Sequence, residues 1–120
     1  MEIFGKYNFI LLNFANGDMV GHTGILRAAI KGAEAVDECL GKIVDEMKDY
    51  TIIITADHGN CEDMTKKFKT SHTFNKVPFI LVDDNLKNKK LKSGGLYNIA
   101  PTILKIMKIK KPKEMEKALF

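Results

Sequence analysis

Five side chains in this sequence have the chemistry of divalent-metal ligands. Asp18 and His22 lie four residues apart, Asp57 and His58 are adjacent, and His72 follows within Thr70-Ser71-His72-Thr73. All three histidines of the chain are in the set. A carboxylate beside an imidazole is the mixed oxygen and nitrogen donor set that suits Mn, Zn or Fe. Five such groups exceed what one small cation takes from protein. They suit two divalent metals about 3.5–4 Å apart, the arrangement that clamps both oxygens of an in-line phosphoryl displacement. For any one histidine alone, a surface or capping residue is the favoured reading. Three of them in three turns favour the metal.

The elements that must position these groups are legible from periodicity. Tyr50 to Asn60 reads Y-T-I-I-I-T-A-D-H-G-N. Its Thr51–Thr55 part is the apolar, β-branched run of a strand buried on both faces. Asp57 and His58 stand where that strand leaves the core, the end of an α/β sheet at which ligands collect. Gly59 and Asn60 permit a sharp turn there. Tyr7–Ala15 reads as a second buried strand, with Asn8 and Asn13 as its weak points. It runs into the turn Asn16 to Gly24, which carries Asp18 and His22. From about Ile25 to Met47, apolar residues at Leu26, Ala29, Ile30, Ala33, Val36, Leu40, Ile43, Val44 and Met47 step by three and four, as on a helix. Thr23 is its expected N-cap, Cys39 packs on the edge of its apolar stripe, and Gly32 and Gly41 weaken it by about 1 kcal/mol each against Ala. Strand, helix, strand predicts a parallel pair with a right-handed crossover, which would bring both ligand-bearing turns to one sheet edge.

Val77–Asp83 reads as a third strand, with Pro78 at its start or on an unpaired side. Asp84–Gly95 is a Lys- and Asn-rich loop. Leu96–Met107 reads as a second helix with Pro101 near its first turn. Lys108–Phe120 is expected as a basic tail with at most one helical turn at Glu114–Leu119.

At 120 residues the expectation is a single domain, residues 1–120, of α/β class. No apolar run of about 18 residues is present to span a membrane, and the N-terminus lacks a signal-peptide layout. Cys39 and Cys61 are too few for a disulfide framework, which fits a reducing cytoplasm. Charge is uneven: residues 1–60 carry nine acidic against five basic side chains, and residues 61–120 six against fourteen. Nucleic-acid binding is disfavoured nonetheless. Arg27 is the only arginine, no aromatics interleave the Lys runs, and no binding motif occurs. The basic half reads as a solvated surface.

Three stretches carry a resemblance: N-F-A-N-G-D-M-V-G-H-T-G at 13–24, T-A-D-H-G-N at 55–60 and S-H-T-F-N-K-V-P-F-I-L at 71–81. Together with residues 28–43 and 99–107, they resemble the 2,3-bisphosphoglycerate-independent phosphoglycerate mutases of the alkaline phosphatase superfamily. D-M-V-G-H-T-G separates that family from phosphopentomutases and sulfatases, which D-H-G alone would not. The resemblance implies a three-layer fold, a mostly parallel sheet flanked by helices, incomplete here relative to the full family domain. It implies interconversion of 3-phosphoglycerate and 2-phosphoglycerate in glycolysis, with two Mn ions or other divalent metals and a phosphoserine intermediate. On the matching positions, Asp18, His22 and His72 would hold the first metal, and Asp57 and His58 part of the second.

The family's nucleophilic serine, a further metal-binding aspartate, the phosphate-binding arginines, the catalytic lysine and the inserted transferase domain come from regions preceding such a stretch. The expectation is therefore a C-terminal portion of the metal-binding domain, with little or no mutase activity by itself. In a functional variant, a split enzyme, a separate N-terminal chain would complete it. The alternatives are a non-catalytic metal-binding domain or a subunit of a split enzyme. Gly17 stands where the family usually has proline, and the ending E-M-E-K-A-L-F departs from the family's E-M-T-G-x-S-L.

Overall fold

A computed structural model describes residues 5–65 and 71–120. The chain, expected as one domain, clusters into two compact units, one ending at Asp83 and one spanning Asp84–Phe120.

In the first unit, the turn after Tyr7–Ala15 closes into a short helix, α1, Asn16–Gly21. A second helix, α2, Leu26–Glu46, follows. The two pack where α2 has no side chain. A Cβ on Gly32 would come within 2.8 Å of Val20 Cγ2, so this glycine allows the close approach. Ala29 and Gly32 are the buried residues of α2, while Leu26 and Ile30 on the same apolar stripe remain exposed. Thr23 does not cap α2 as expected. The N-cap position is Ile25, which makes no side-chain cap bond. Thr23 instead braces the α1–α2 junction. Its hydroxyl donates to the Val20 carbonyl at 2.5 Å and accepts the Ile25 N–H at 3.2 Å, while Gly24 turns the chain at φ +67. On the solvent face of α2, Glu38 and Lys42 form an i,i+4 pair, of the kind that adds a few tenths of a kcal/mol.

The two apolar runs at 52 and 79 form strands β1, Ile52–Thr55, and β2, Phe79–Val82. They pair antiparallel in the register Ile52↔Val82, Ile53↔Leu81, Ile54↔Ile80 and Thr55↔Phe79. Pro78 sits just outside the ladder, and its carbonyl accepts the Thr55 hydroxyl at 2.8 Å. At the other end, the Thr51 hydroxyl donates to the Asp83 carboxylate.

The expected parallel pair is not formed. Among the described residues the sheet has two strands, and Tyr7–Ala15 runs beside no ladder partner. Tyr7, Phe9, Leu11 and Leu12 are exposed, and the Tyr50 hydroxyl donates to the Tyr7 carbonyl at 3.2 Å. A strand buried on both faces needs neighbours on both edges and layers above and below. With a single partner, Ile52, Ile53 and Ile54 are only half-buried. Among the described residues, no helix is long and apolar enough to cross a membrane.

In the second unit, a 3-10 turn, Leu96–Asn98, leads into α3, Ile99–Ile106. Pro101 falls in its first turn, where a missing N–H is harmless, and is fully buried with Thr102. The C-terminal residues are not a free basic tail with a helical turn, as expected. Leu119 N–H donates to the buried Thr102 hydroxyl at 2.9 Å, Lys92 N–H donates to the Leu119 carbonyl at 2.8 Å, and the Asn98 amide donates to the Lys117 carbonyl at 2.8 Å. Burial of Leu119 under these bonds outweighs the exposure that the neighbouring lysines favour.

Candidate metal centre

Asp18 and His22 owe their proximity to α1. The His22 N–H donates to the Asp18 carbonyl at 3.1 Å, so the two side chains rise from one helical turn. His22 Nε2 lies 3.2 Å from Asp18 Oδ1. His72 arrives from fifty residues further along, and its Nε2 lies 3.1 Å from the same Oδ1 and 3.2 Å from His22 Nε2. Three donor atoms therefore form a nearly equilateral triangle. For N and O ligands bonded at about 2.1 Å, edges are about 3.0 Å on an octahedral face and about 3.4 Å on a tetrahedral one. The observed edges lie between these values, so the three residues fit a divalent first-row cation. A proton on one imidazole satisfies one edge of the triangle, whereas a cation satisfies all three. Among the described residues, this is the group of three or more His, Cys, Asp or Glu side chains able to hold a metal.

Asp18 is held in its charged form. The Asn60 amide, donating to Oδ1 at 2.8 Å, lowers its pKa below the ordinary value; partial burial opposes this, and the nearby His22, His72 and His58 add to the lowering. Asn60 also donates to the Asp18 backbone carbonyl at 3.2 Å and is 5% exposed. Gly21 makes room for it, since a Cβ there would meet the Asn60 side chain at 2.7 Å.

Asp57 and His58 emerge from β1 as expected. The His58 ring stacks on His72 with centroids 3.7 Å apart and planes 18° from parallel, so His58 joins the same cluster. Its Nδ1 is buried without a hydrogen-bond partner among the described residues. Asp57 Oδ1 accepts the His58 N–H at 3.1 Å, and Oδ2 lies 3.6 Å from His58 Nε2. The Asp57 side chain is 86% exposed, and it does not reach the Asp18–His22–His72 triangle. Four of the five candidates thus gather at one place, with Asp57 on its rim.

Two further residues shape the site. Asn60 appeared in the sequence only as a turn residue. Glu62 carried no signal there, yet its carboxylate accepts bonds from the Asn60 N–H at 2.6 Å, from the Asn75 amide at 2.9 Å and from the Thr73 hydroxyl.

Comparison with known proteins bears on this cluster. Residues 2–111 match the family model described as Metalloenzyme superfamily. The chain belongs to the Metalloenzyme superfamily. Within this superfamily, it is 55% identical to a 2,3-bisphosphoglycerate-independent phosphoglycerate mutase of Clostridium acetobutylicum, over 96% of this chain and 24% of that protein. It is 52% identical to the protein of the same name from Moorella thermoacetica, over 96% of this chain and 23% of that one. The protein of that name from Symbiobacterium thermophilum is 55% identical over 92% of this chain and 23% of its own length. The chain thus spans about a quarter of the length of these relatives.

Proposed function

We propose that this chain is the metal-holding C-terminal portion of a 2,3-bisphosphoglycerate-independent phosphoglycerate mutase. In this reading Asp18, His22 and His72 hold one divalent cation, and Asp57 and His58 supply part of the ligand set of a second. The observation that carries it is the triangle of Asp18 Oδ1, His22 Nε2 and His72 Nε2, with edges of 3.1–3.2 Å, in a chain whose relatives bear that name. Manganese is the metal we propose. Bound cations there would neutralise phosphoryl charge and lower the pKa of an oxygen nucleophile. The residues of this chain hold the ligand oxygen ionised, through Asn60 on Asp18, and stack His58 on His72.

The remaining parts of the reading concern the whole enzyme. Substrates are 3-phosphoglycerate and 2-phosphoglycerate, exchanged through a phosphoserine whose serine comes from the N-terminal part of the enzyme. The setting is glycolysis in the cytoplasm, with neither nucleic acid nor membrane as a partner. In that assembly, Tyr7–Ala15 and β1 would become inner strands of the mostly parallel, three-layer sheet. The exposed Phe9, Leu11 and Leu12 support this, because they are apolar residues awaiting cover.

The test is a Mn2+ titration of the chain followed by a mutase assay. We expect binding that His72→Ala weakens, negligible turnover of 3-phosphoglycerate alone, and turnover once the remaining N-terminal part of a relative is supplied as a separate polypeptide. Full turnover by the chain alone would refute the incomplete-site reading. Failure to bind any divalent metal would refute the metal-holding one.

A further inference from the structure

His22 is placed by the helix that also carries Asp18, but among the described residues His72 stands in no helix or strand. The β1–β2 ladder ends at Thr55↔Phe79. Beyond it the two chain segments meet again at an isolated antiparallel bridge, Gly59↔Thr73, made by the Thr73 N–H donating to the Gly59 carbonyl at 2.9 Å. One backbone bond does not fix an imidazole to a few tenths of an ångström.

Glu62 adds what the bridge lacks. Its Oε2 accepts the Asn60 N–H, on the segment that grips Asp18. Its Oε1 accepts the Thr73 hydroxyl and the Asn75 amide, on the segment that carries His72. A single carboxylate is thereby bonded to both sides of the bridge, across sequence separations of 11 and 13 residues. Gly59 makes this possible, because any Cβ there would run into both Thr73 Oγ1 and Glu62 Oε1. A carboxylate suits both sides because it offers only acceptors, whereas a glutamine sets its NH2 against the donors of one side.

We infer that Glu62 is a positioning residue of the metal centre, setting His72 against His22 and over His58 while holding Asn60 on Asp18, without itself contacting a metal. This rests on the proposed reading of Asp18, His22 and His72. Outer partners of this kind typically change metal affinity about 10–100-fold when removed.

The test compares the wild-type chain with Glu62→Ala and Glu62→Gln. In metal-free protein, the NMR shifts of the His22, His58 and His72 rings report the stack; a Co2+ or Mn2+ titration reports affinity; thermal melts report folding. We expect Glu62→Ala to move the His58 and His72 signals toward those of free imidazole and to weaken metal binding about 10–100-fold. Glu62→Gln keeps one acceptor oxygen for Thr73 and Asn75 and falls between. A lowered Tm with unchanged ring shifts and unchanged affinity would overturn the inference, since a merely structural residue behaves that way. Should Glu62→Ala fail to fold, the ring shifts and affinity of Glu62→Gln decide in its place. Should the wild type bind no metal while the variants still disperse the rings, positioning stands and the metal reading falls. Intact metal binding in the wild type and both variants, with the rings undisturbed, overturns positioning and leaves the metal reading standing.

Discussion

At the scale of single residues, a few short polar contacts decide whether the candidate ligands meet. Asp18 is ionised because an amide points at it, and that amide is fixed because Glu62 holds its backbone. The Glu62 carboxyl is itself held below the ordinary Glu value of 4.5: burial pushes it up, and the bonds from Thr73, Asn75 and the Asn60 backbone outweigh that push. The sign of the resulting pH dependence follows. A carboxyl whose folded pKa is depressed binds fewer protons when folded. Its stabilising contribution is fully present above 4.5 and is lost as pH falls through the lower folded value. Urea unfolding of wild type and Glu62→Gln should therefore differ most above the ordinary value of 4.5 and converge as pH falls below it. A constant difference on both sides of that value would show that the charge of Glu62 contributes nothing to stability.

At the scale of elements, the two glycines of α2 are not equivalent, although the sequence presents them alike. A Cβ on Gly41 meets nothing within 4 Å, whereas one on Gly32 comes within 2.8 Å of Val20. Gly41→Ala should stabilise the chain by about 0.5–1 kcal/mol, the helix-interior difference between the residues. Gly32→Ala gains the same propensity but forces α1 off α2, an overpacking cost of about 1–3 kcal/mol. The net is destabilising, and because α1 carries Asp18 and His22, it should also weaken metal binding. Thermal melts of both variants check this, and equal shifts would contradict it. Periodicity made α2, both strands and α3 legible, because an apolar stripe is a local property. It did not reveal α1, a helix of 6 residues too short to show a period. Nor did it reveal the anchored C-terminus, where Thr102 and Asn98 bind a segment that reads as polar tail.

At the scale of the whole molecule, the described structure leaves much apolar surface in water. Leu11 is 86% exposed, and Phe9 and Leu12 share its segment. Apolar patches and uncovered strand-like segments promote association. Sedimentation should show concentration-dependent self-association that Leu11→Lys reduces, while the melting temperature stays nearly unchanged, because an exposed side chain contributes little to stability, within about 0.5 kcal/mol. A chain that stays monomeric at all concentrations would remove this expectation. The donor types, their turns, the long helix and the apolar runs were settled by local order alone, since residue identity and spacing suffice for them. Strand direction was not, because an apolar run pairs with whichever neighbour the packing supplies, and here Ile52–Thr55 took Phe79–Val82 in antiparallel register. The meeting of His72 with His22 across fifty residues, the outward turn of Asp57 and the hold of Glu62 on both sides of the bridge were decided only in three dimensions. Each depends on contacts between residues far apart in the chain, and no local pattern encodes them.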